Sequence, residues 1–171
     1  MYTTLDIDKD GLNYEIDFNL EETKALRSEL RGKLFTIDDI RRVALWKLDR
    51  VIEIPENVLS KLTDLVSRKD LEFDDPICKE VFELLIGVQC RGMRAPMAST
   101  ILKFLRSDVF PIIDVRAYRV LYGVKPPNKL MFDTYLDYVE KIYDIRDKFK
   151  LNLYEVDEQL YCFDKKNNGK I

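Results

Sequence analysis

The sequence predicts an all-α fold, a compact multi-helix domain of about seven to nine helices. Three observations lead there. Apolar side chains recur at i, i+3, i+4 and i+7 in one segment after another, which is the spacing of a helical face. The connections between those segments are short and leave little room for a sheet. At 171 residues with 46% hydrophobic side chains, the chain can bury one respectable core, so one domain is expected.

Residues 1–18 are the exception and read as an extended segment or a β-hairpin, because the Asp-Gly step of "DKDG" favours a tight turn. The helical domain spans 19–163. Asn19 followed by Glu22 is a capping-box pattern, and Leu20, Thr23, Leu26 and Leu30 follow at helical spacing up to Gly32. A second helix starts after Thr36 with Ile37, Ile40, Ala44, Leu48 and Val51 on one face, and a third carries Val58, Leu62, Leu65 and Val66. A fourth opens at "DDP", where Pro76 suits a first helical position, and buries Ile77, Val81, Leu84 and Leu85.

After "GVQCRG" a helix from about Pro96 carries Ala98, Ile101, Leu102 and Leu105 on one stripe, with Arg91, Arg94 and Arg106 expected on the solvent side. Another helix runs from Asp114 to Tyr122. A long one follows "KPPN" with Phe132, Tyr135, Leu136, Val139 and Tyr143, and the last carries Leu153, Val156, Leu160 and Phe163. Residues 164–171, "DKKNNGKI", read as a polar C-terminal tail.

Several function classes are disfavoured by composition. Cys78, Cys90 and Cys162 are odd in number and form no CxxC pair, and the chain has no histidine, so zinc and iron–sulfur sites lose their usual ligands and no cofactor is expected. The acids of "DIDKDGLNYEID" alternate as in a calcium loop, but the span closes on Asp17 where a longer, bidentate glutamate is wanted, and an acidic turn is the simpler reading. No apolar run of membrane-spanning length occurs, and the first ten residues have neither a basic flank nor an apolar segment. The expectation is therefore a soluble cytoplasmic protein, nucleoid-associated in a bacterial cell, without a membrane partner.

The formal charge of −3 hides an uneven distribution. Between Gly87 and Lys129, eight cations stand against Asp108 and Asp114, a net of +6, so the remainder carries −9. A basic stripe on an acidic body suits a polyanion partner, and duplex DNA is the expected one. A protein partner stays open, and the chain is expected to act as a monomer.

The segment from 84 to 123 carries the most specific pattern. "GMRAPMASTIL" and "FPIIDVRAYRVLYG" together resemble the helix-hairpin-helix element and following acid-bearing helix of the base-excision DNA glycosylase superfamily. Upstream, "ALWKLDR" at 44–50 looks like a Trp-Lys helix of some uncharacterised members. The resemblance implies a hairpin at Gly87, Arg91, Gly92 and Arg94 that binds backbone phosphate, assisted by Arg116, through amides at a helix N-terminus and charge-assisted bonds. It also implies that Asp114 is the catalytic acid, facing the sugar of a nucleotide turned out of the duplex. Trp46 reads either as core or as a wall against that base, and Tyr118 either as packing along its helix or as a stacking face.

Two departures qualify this. Arg94 replaces the second hairpin glycine, which either strains a left-handed backbone position or shifts the turn to "GVQCRG", where Gly87 and Gly92 bracket an enlarged loop. Pro96 stands where bifunctional members carry a nucleophilic lysine, so Schiff-base lyase chemistry from that position is excluded and the water-dependent, monofunctional mode is implied. Asp114 is equally placed to be an ordinary N-cap or a partner of Arg116 or Arg119. The alternative to a glycosylase is a helix-hairpin-helix module that binds DNA or a larger assembly without catalysis.

Overall fold

A computed structural model describes residues 2–15, 20–32, 34–48, 54–90 and 93–170. Among these, eight helices and no strand are present: α1 (Leu20–Leu30), α2 (Ile37–Leu48), α3 (Glu56–Ser67), α4 (Pro76–Ile86), α5 (Ala95–Leu105), α6 (Val115–Tyr122), α7 (Phe132–Phe149) and α8 (Leu153–Asn168). The Asn19–Glu22 box, Val51, Asp17, Arg91, Gly92 and the side chains of Leu20 and Leu48 lie outside the described residues.

Local chemistry sets the helix ends. Thr36 and Asp39 cap α2 reciprocally, the Thr36 amide donating to Asp39 Oδ2 at 3.0 Å and the Asp39 amide to Thr36 Oγ1 at 3.3 Å. Asn152 and Glu155 form a second capping box at α8. Helix α6 begins at Asp114, whose Oδ1 accepts from the Ala117 amide at 2.8 Å, and ends at Gly123, where φ is 71° and a side chain would be strained.

Helix α5 is the centre of the packing. Every residue from Met97 to Leu105 is buried, with α1, α2 and α4 laid against it, and apolar side chains from all eight helices join one core. Ala98, Ile101, Leu102 and Leu105 are inside, as the stripe requires. A helix covered all round has no solvent face for cations, and this is where the sequence reading needs correction. Arg106 is 5% exposed rather than on the surface. Its guanidinium grips Asp108 at 2.7 Å and donates to the Arg68 carbonyl at 2.6 Å, so it satisfies acceptors at the end of α3.

At the N-terminus the described residues take the extended one of the two expected forms. Residues 2–15 form no hairpin; they run as a strap over α6 and α8 with a turn at Ile7–Lys9. The Leu5 amide donates to the Val120 carbonyl at 3.2 Å, and the Gln159 carboxamide takes both backbone groups of Tyr14, at 2.6 and 3.0 Å. One polar side chain thus does what a neighbouring strand would do in a hairpin.

At the other end, α8 continues to Asn168 through the supposed tail. Asp164 is fully buried there between Arg116, at 2.8 Å, and Arg119, whose Nη2 donates to Asp164 Oδ2 at 2.6 Å. The Arg119 guanidinium also lies over the Tyr2 ring, 4.6 Å from its centroid. This cluster ties the N-terminal strap, α6 and the last turn of α8 together. Asp164→Ala leaves two cations without their acid and is expected to lower unfolding free energy by about 3–5 kcal/mol. Urea denaturation at neutral pH measures this, and a loss within the surface range of about 0.5 kcal/mol would contradict the cluster's role.

Candidate functional site

The nine residues between α5 and α6 are neither helix nor strand, yet most of them are buried. A buried irregular segment must find partners for each backbone donor and acceptor. Here side chains supply them from three helices. Tyr143 Oη donates to the Val109 carbonyl at 2.9 Å, Tyr135 Oη to that of Pro111 at 2.7 Å and Tyr138 Oη to that of Ile112 at 2.7 Å. The Ile112 amide donates to Asp157 Oδ2 at 2.5 Å, and the Ile113 amide to Ser99 Oγ at 3.1 Å. Burial drives the Tyr135 and Tyr138 phenols well above their ordinary range, so both stay hydroxyl donors. The next residue is Asp114.

Asp114 lies on the wall of a half-open cavity of about 180 Å³ lined from α1, α2, α5, α6 and α8 and by Ile112. Trp46 and Lys47 reach the same cavity from α2, and Phe104, edge-on to Trp46 at 5.1 Å between centroids, lines it from α5. Asp114 Oδ1 is taken by the helix cap, whereas Oδ2 stands 3.9 Å from Lys47 Nζ, beyond hydrogen-bond reach. The Trp46 and Asp114 expected in one site are therefore on one cavity.

Tyr118 is not. It stacks between Tyr122, at 4.2 Å, and Tyr138, at 6.4 Å, and does not line the cavity. Successive helical residues point about 100° apart, and Ala117 takes the cavity side, so Tyr118 is turned into the aromatic stack. The arginine expected to assist DNA, Arg116, is held by Asp164 and by the Gly169 carbonyl at 2.8 Å, over the Tyr161 ring.

The connection between α4 and α5 presents a mixed picture. Gly87 caps α4 at φ −75°, and a Cβ there would come within 3.1 Å of the Glu83 carbonyl oxygen, which accounts for the glycine by close approach. Arg94 is exposed, and its φ of −133° is extended backbone, so the expected left-handed strain is absent. Val88 projects fully into solvent. Burial pushes the Cys90 thiol up, consistent with a filler.

Lys103, Asp157 and Glu158 were not among the predicted site residues. All three line the cavity. Lys103 Nζ, 3% exposed, donates to Asp157 Oδ1 at 2.6 Å, Glu158 Oε1 at 3.1 Å and the Tyr154 carbonyl at 2.8 Å, and Arg27 closes on Glu158 from α1. Signals for them existed. Lys103 interrupts the apolar run "STILKFL", and Asp157 and Asp164 fall with Leu153 and Leu160 on one helical stripe.

With Lys103, Arg106, Arg116 and Arg119 all buried or mostly buried in ion pairs, the basic segment is not a surface stripe; Arg94, Lys125 and Lys129 are its exposed cations among the described residues. Among the described residues no helix is long and apolar enough to cross a membrane. No family model, curated protein or solved structure matches the chain.

Burial, countered by the Lys103 ammonium, pushes the Asp157 carboxyl up to about 6. An unfolded aspartate titrates near 3.9, so between about pH 4 and 6 the folded chain keeps a proton that the unfolded chain has released. This group therefore makes stability fall as pH rises through that window, and its contribution levels off above it. Urea unfolding at steps from about pH 4 to 7 should show this downward component in the wild type and not in Asp157→Asn. Parallel pH dependences for the two would contradict the assignment.

Proposed function

We propose that the chain is a monofunctional DNA N-glycosylase that receives one extrahelical base in the cavity between Trp46 and Asp114. The observation that carries this reading is the meeting of an indole and a carboxylate on one half-open cavity, supplied by α2 and by the N-cap of α6. A cavity of about 180 Å³ is small beside the ~300–1,000 Å³ of ordinary ligand pockets, which suits a single planar ring. Trp46 offers that ring an aromatic face.

The chemistry follows from charge. As the C1′–N bond breaks, the bonding pair leaves with the base and positive charge develops on the sugar. Asp114 Oδ2, not used by the cap, stabilises that charge and accepts a hydrogen bond from water as it adds at C1′; the water's proton goes on to the departing base. Lys47, beside the same carboxylate, carries positive charge toward the leaving group. Lys103 is not the nucleophile in this scheme, because its amine is held by three acceptors. DNA contact rests on exposed Arg94 at the N-cap of α5, with Gly87, Arg91 and Gly92 in the same connection of the sequence.

A helix-hairpin-helix module without catalysis is the second reading. It is favoured by the cap itself, since a carboxylate bonded to the Ala117 amide already has a structural task.

Both readings are separated by incubating excess protein with duplexes that carry alkylated, deaminated or oxidised bases. A glycosylase releases free base and leaves an abasic site whose strand breaks only on alkali or heat. Asp114→Asn keeps size and much of the cap while removing the charge, and is expected to fold, to bind DNA and to lose base release by orders of magnitude. Unchanged release in that variant would make Asp114 a cap only; no release from any lesion would leave the non-catalytic module.

A further inference from the structure

We propose that Asp157 is the positioning residue for Asp114: anchored by Lys103, its carboxylate holds the Ile112 amide and thereby fixes the backbone that aims the cap aspartate at the cavity. The inference rests on the glycosylase reading for its catalytic consequence, and on the hydrogen bonds alone for its structural one.

The geometry separates the two oxygens of Asp157. Oδ1 takes Lys103 Nζ at 2.6 Å, and Oδ2 takes the Ile112 amide at 2.5 Å, so a single buried carboxylate bridges α5 and the segment leading to Asp114. Only two residues separate that amide from Asp114. Between them the single peptide plane joining Ile112 to Ile113 is held by Tyr138 and Ser99, which leaves only the torsions from Ile113 onward between the clasp and Asp114. The anchor is itself anchored. Glu158 shares the Lys103 ammonium and is closed from α1 by Arg27.

Charge is essential to this arrangement. A carboxylate can accept from the ammonium and the amide together, whereas an asparagine has one acceptor oxygen and an NH₂ that can accept from neither. The groups facing Asp157 are Lys103 of α5, its neighbour Glu158 on α8 and the Tyr135 and Tyr138 phenols of α7. The ammonium, and less strongly the Ile112 amide that also faces Asp157, oppose its protonation. Loss of the carboxylate charge therefore releases the Ile112 end first, since Lys103 keeps Glu158 and the Tyr154 carbonyl as acceptors.

Amide hydrogen exchange tests the claim without requiring a known substrate. In Asp157→Asn, the Ile112 and Ala117 amides should exchange about tenfold faster or more, while amides of α3 and α4 keep their protection. Glu158→Gln, which alters the same ionic cluster but touches neither amide, should leave both unchanged. Unchanged exchange at Ala117, or equal acceleration throughout the chain, would overturn the proposal.

Should Asp157→Asn fail to fold, the wild type decides. Its Ile112 and Ala117 amide shifts should move together with one midpoint near pH 6, where Asp157 ionises, and a shift at Ile112 without one at Ala117 would overturn the coupling. Where the wild type releases a base, Asp157→Asn is expected to lower kcat by about a hundredfold, the effect of a small misplacement, with KM little changed. Equal kcat would again overturn it. Exchange as predicted in a chain that releases no base would uphold the clasp and remove the glycosylase reading.

Discussion

Satisfying the backbone of the buried segment between α5 and α6 is the constraint on which the rest of this structure depends. That segment crosses the core without helix or strand, so its carbonyls and amides must be met by side chains or left orphaned at a cost of about 1–3 kcal/mol each. Three tyrosines of α7, one serine of α5 and one aspartate of α8 meet them. The helices are thereby locked to one another through a stretch of chain that has no regular structure. Asp114 sits where this segment ends and α6 starts, so its position is fixed by partners from elements far apart in sequence.

Electrostatics follow from the same burial. Helix α5 is covered on every side, and a lysine within it survives only because α8 places two carboxylates on its ammonium. About two turns farther along α8, Asp164 does the same for two arginines of α6. The opposite charges of the basic segment and the acidic remainder are thus brought together inside the protein. Within the basic segment only Arg94, Lys125 and Lys129 stay exposed among the described residues, so it presents to solvent little of the charge that its sequence suggests.

Much of the fold was legible because helical spacing and end signals are local. The stripe of α5, the proline at the start of α4 and the cap at Asp114 all read directly from neighbouring residues. Long-range polar pairing was not. Nothing near Arg106 or Arg116 in the sequence announces the carbonyls of α3 or the acid of α8 that bury them, and a residue count made them a surface stripe. The tail was misread for a related reason: its polar composition is real, but Asp164 lies on the buried side of α8, a position visible in the Leu153, Asp157, Leu160 and Asp164 spacing. Trp46 and Asp114 were both recognisable as site candidates, whereas Tyr118 required the rotation of α6, which Ala117 decides.

Under the proposed function the cavity takes an extrahelical base against Trp46, which as the single tryptophan of the chain is a clean probe. Its fluorescence can be titrated with two duplexes that differ only in one unpaired or lesion-bearing base. Quenching that saturates with the lesion duplex, and is absent with the fully paired one at equal occupancy, is the predicted result. The same response to both duplexes, or no response to either while binding is seen by another method, would contradict it.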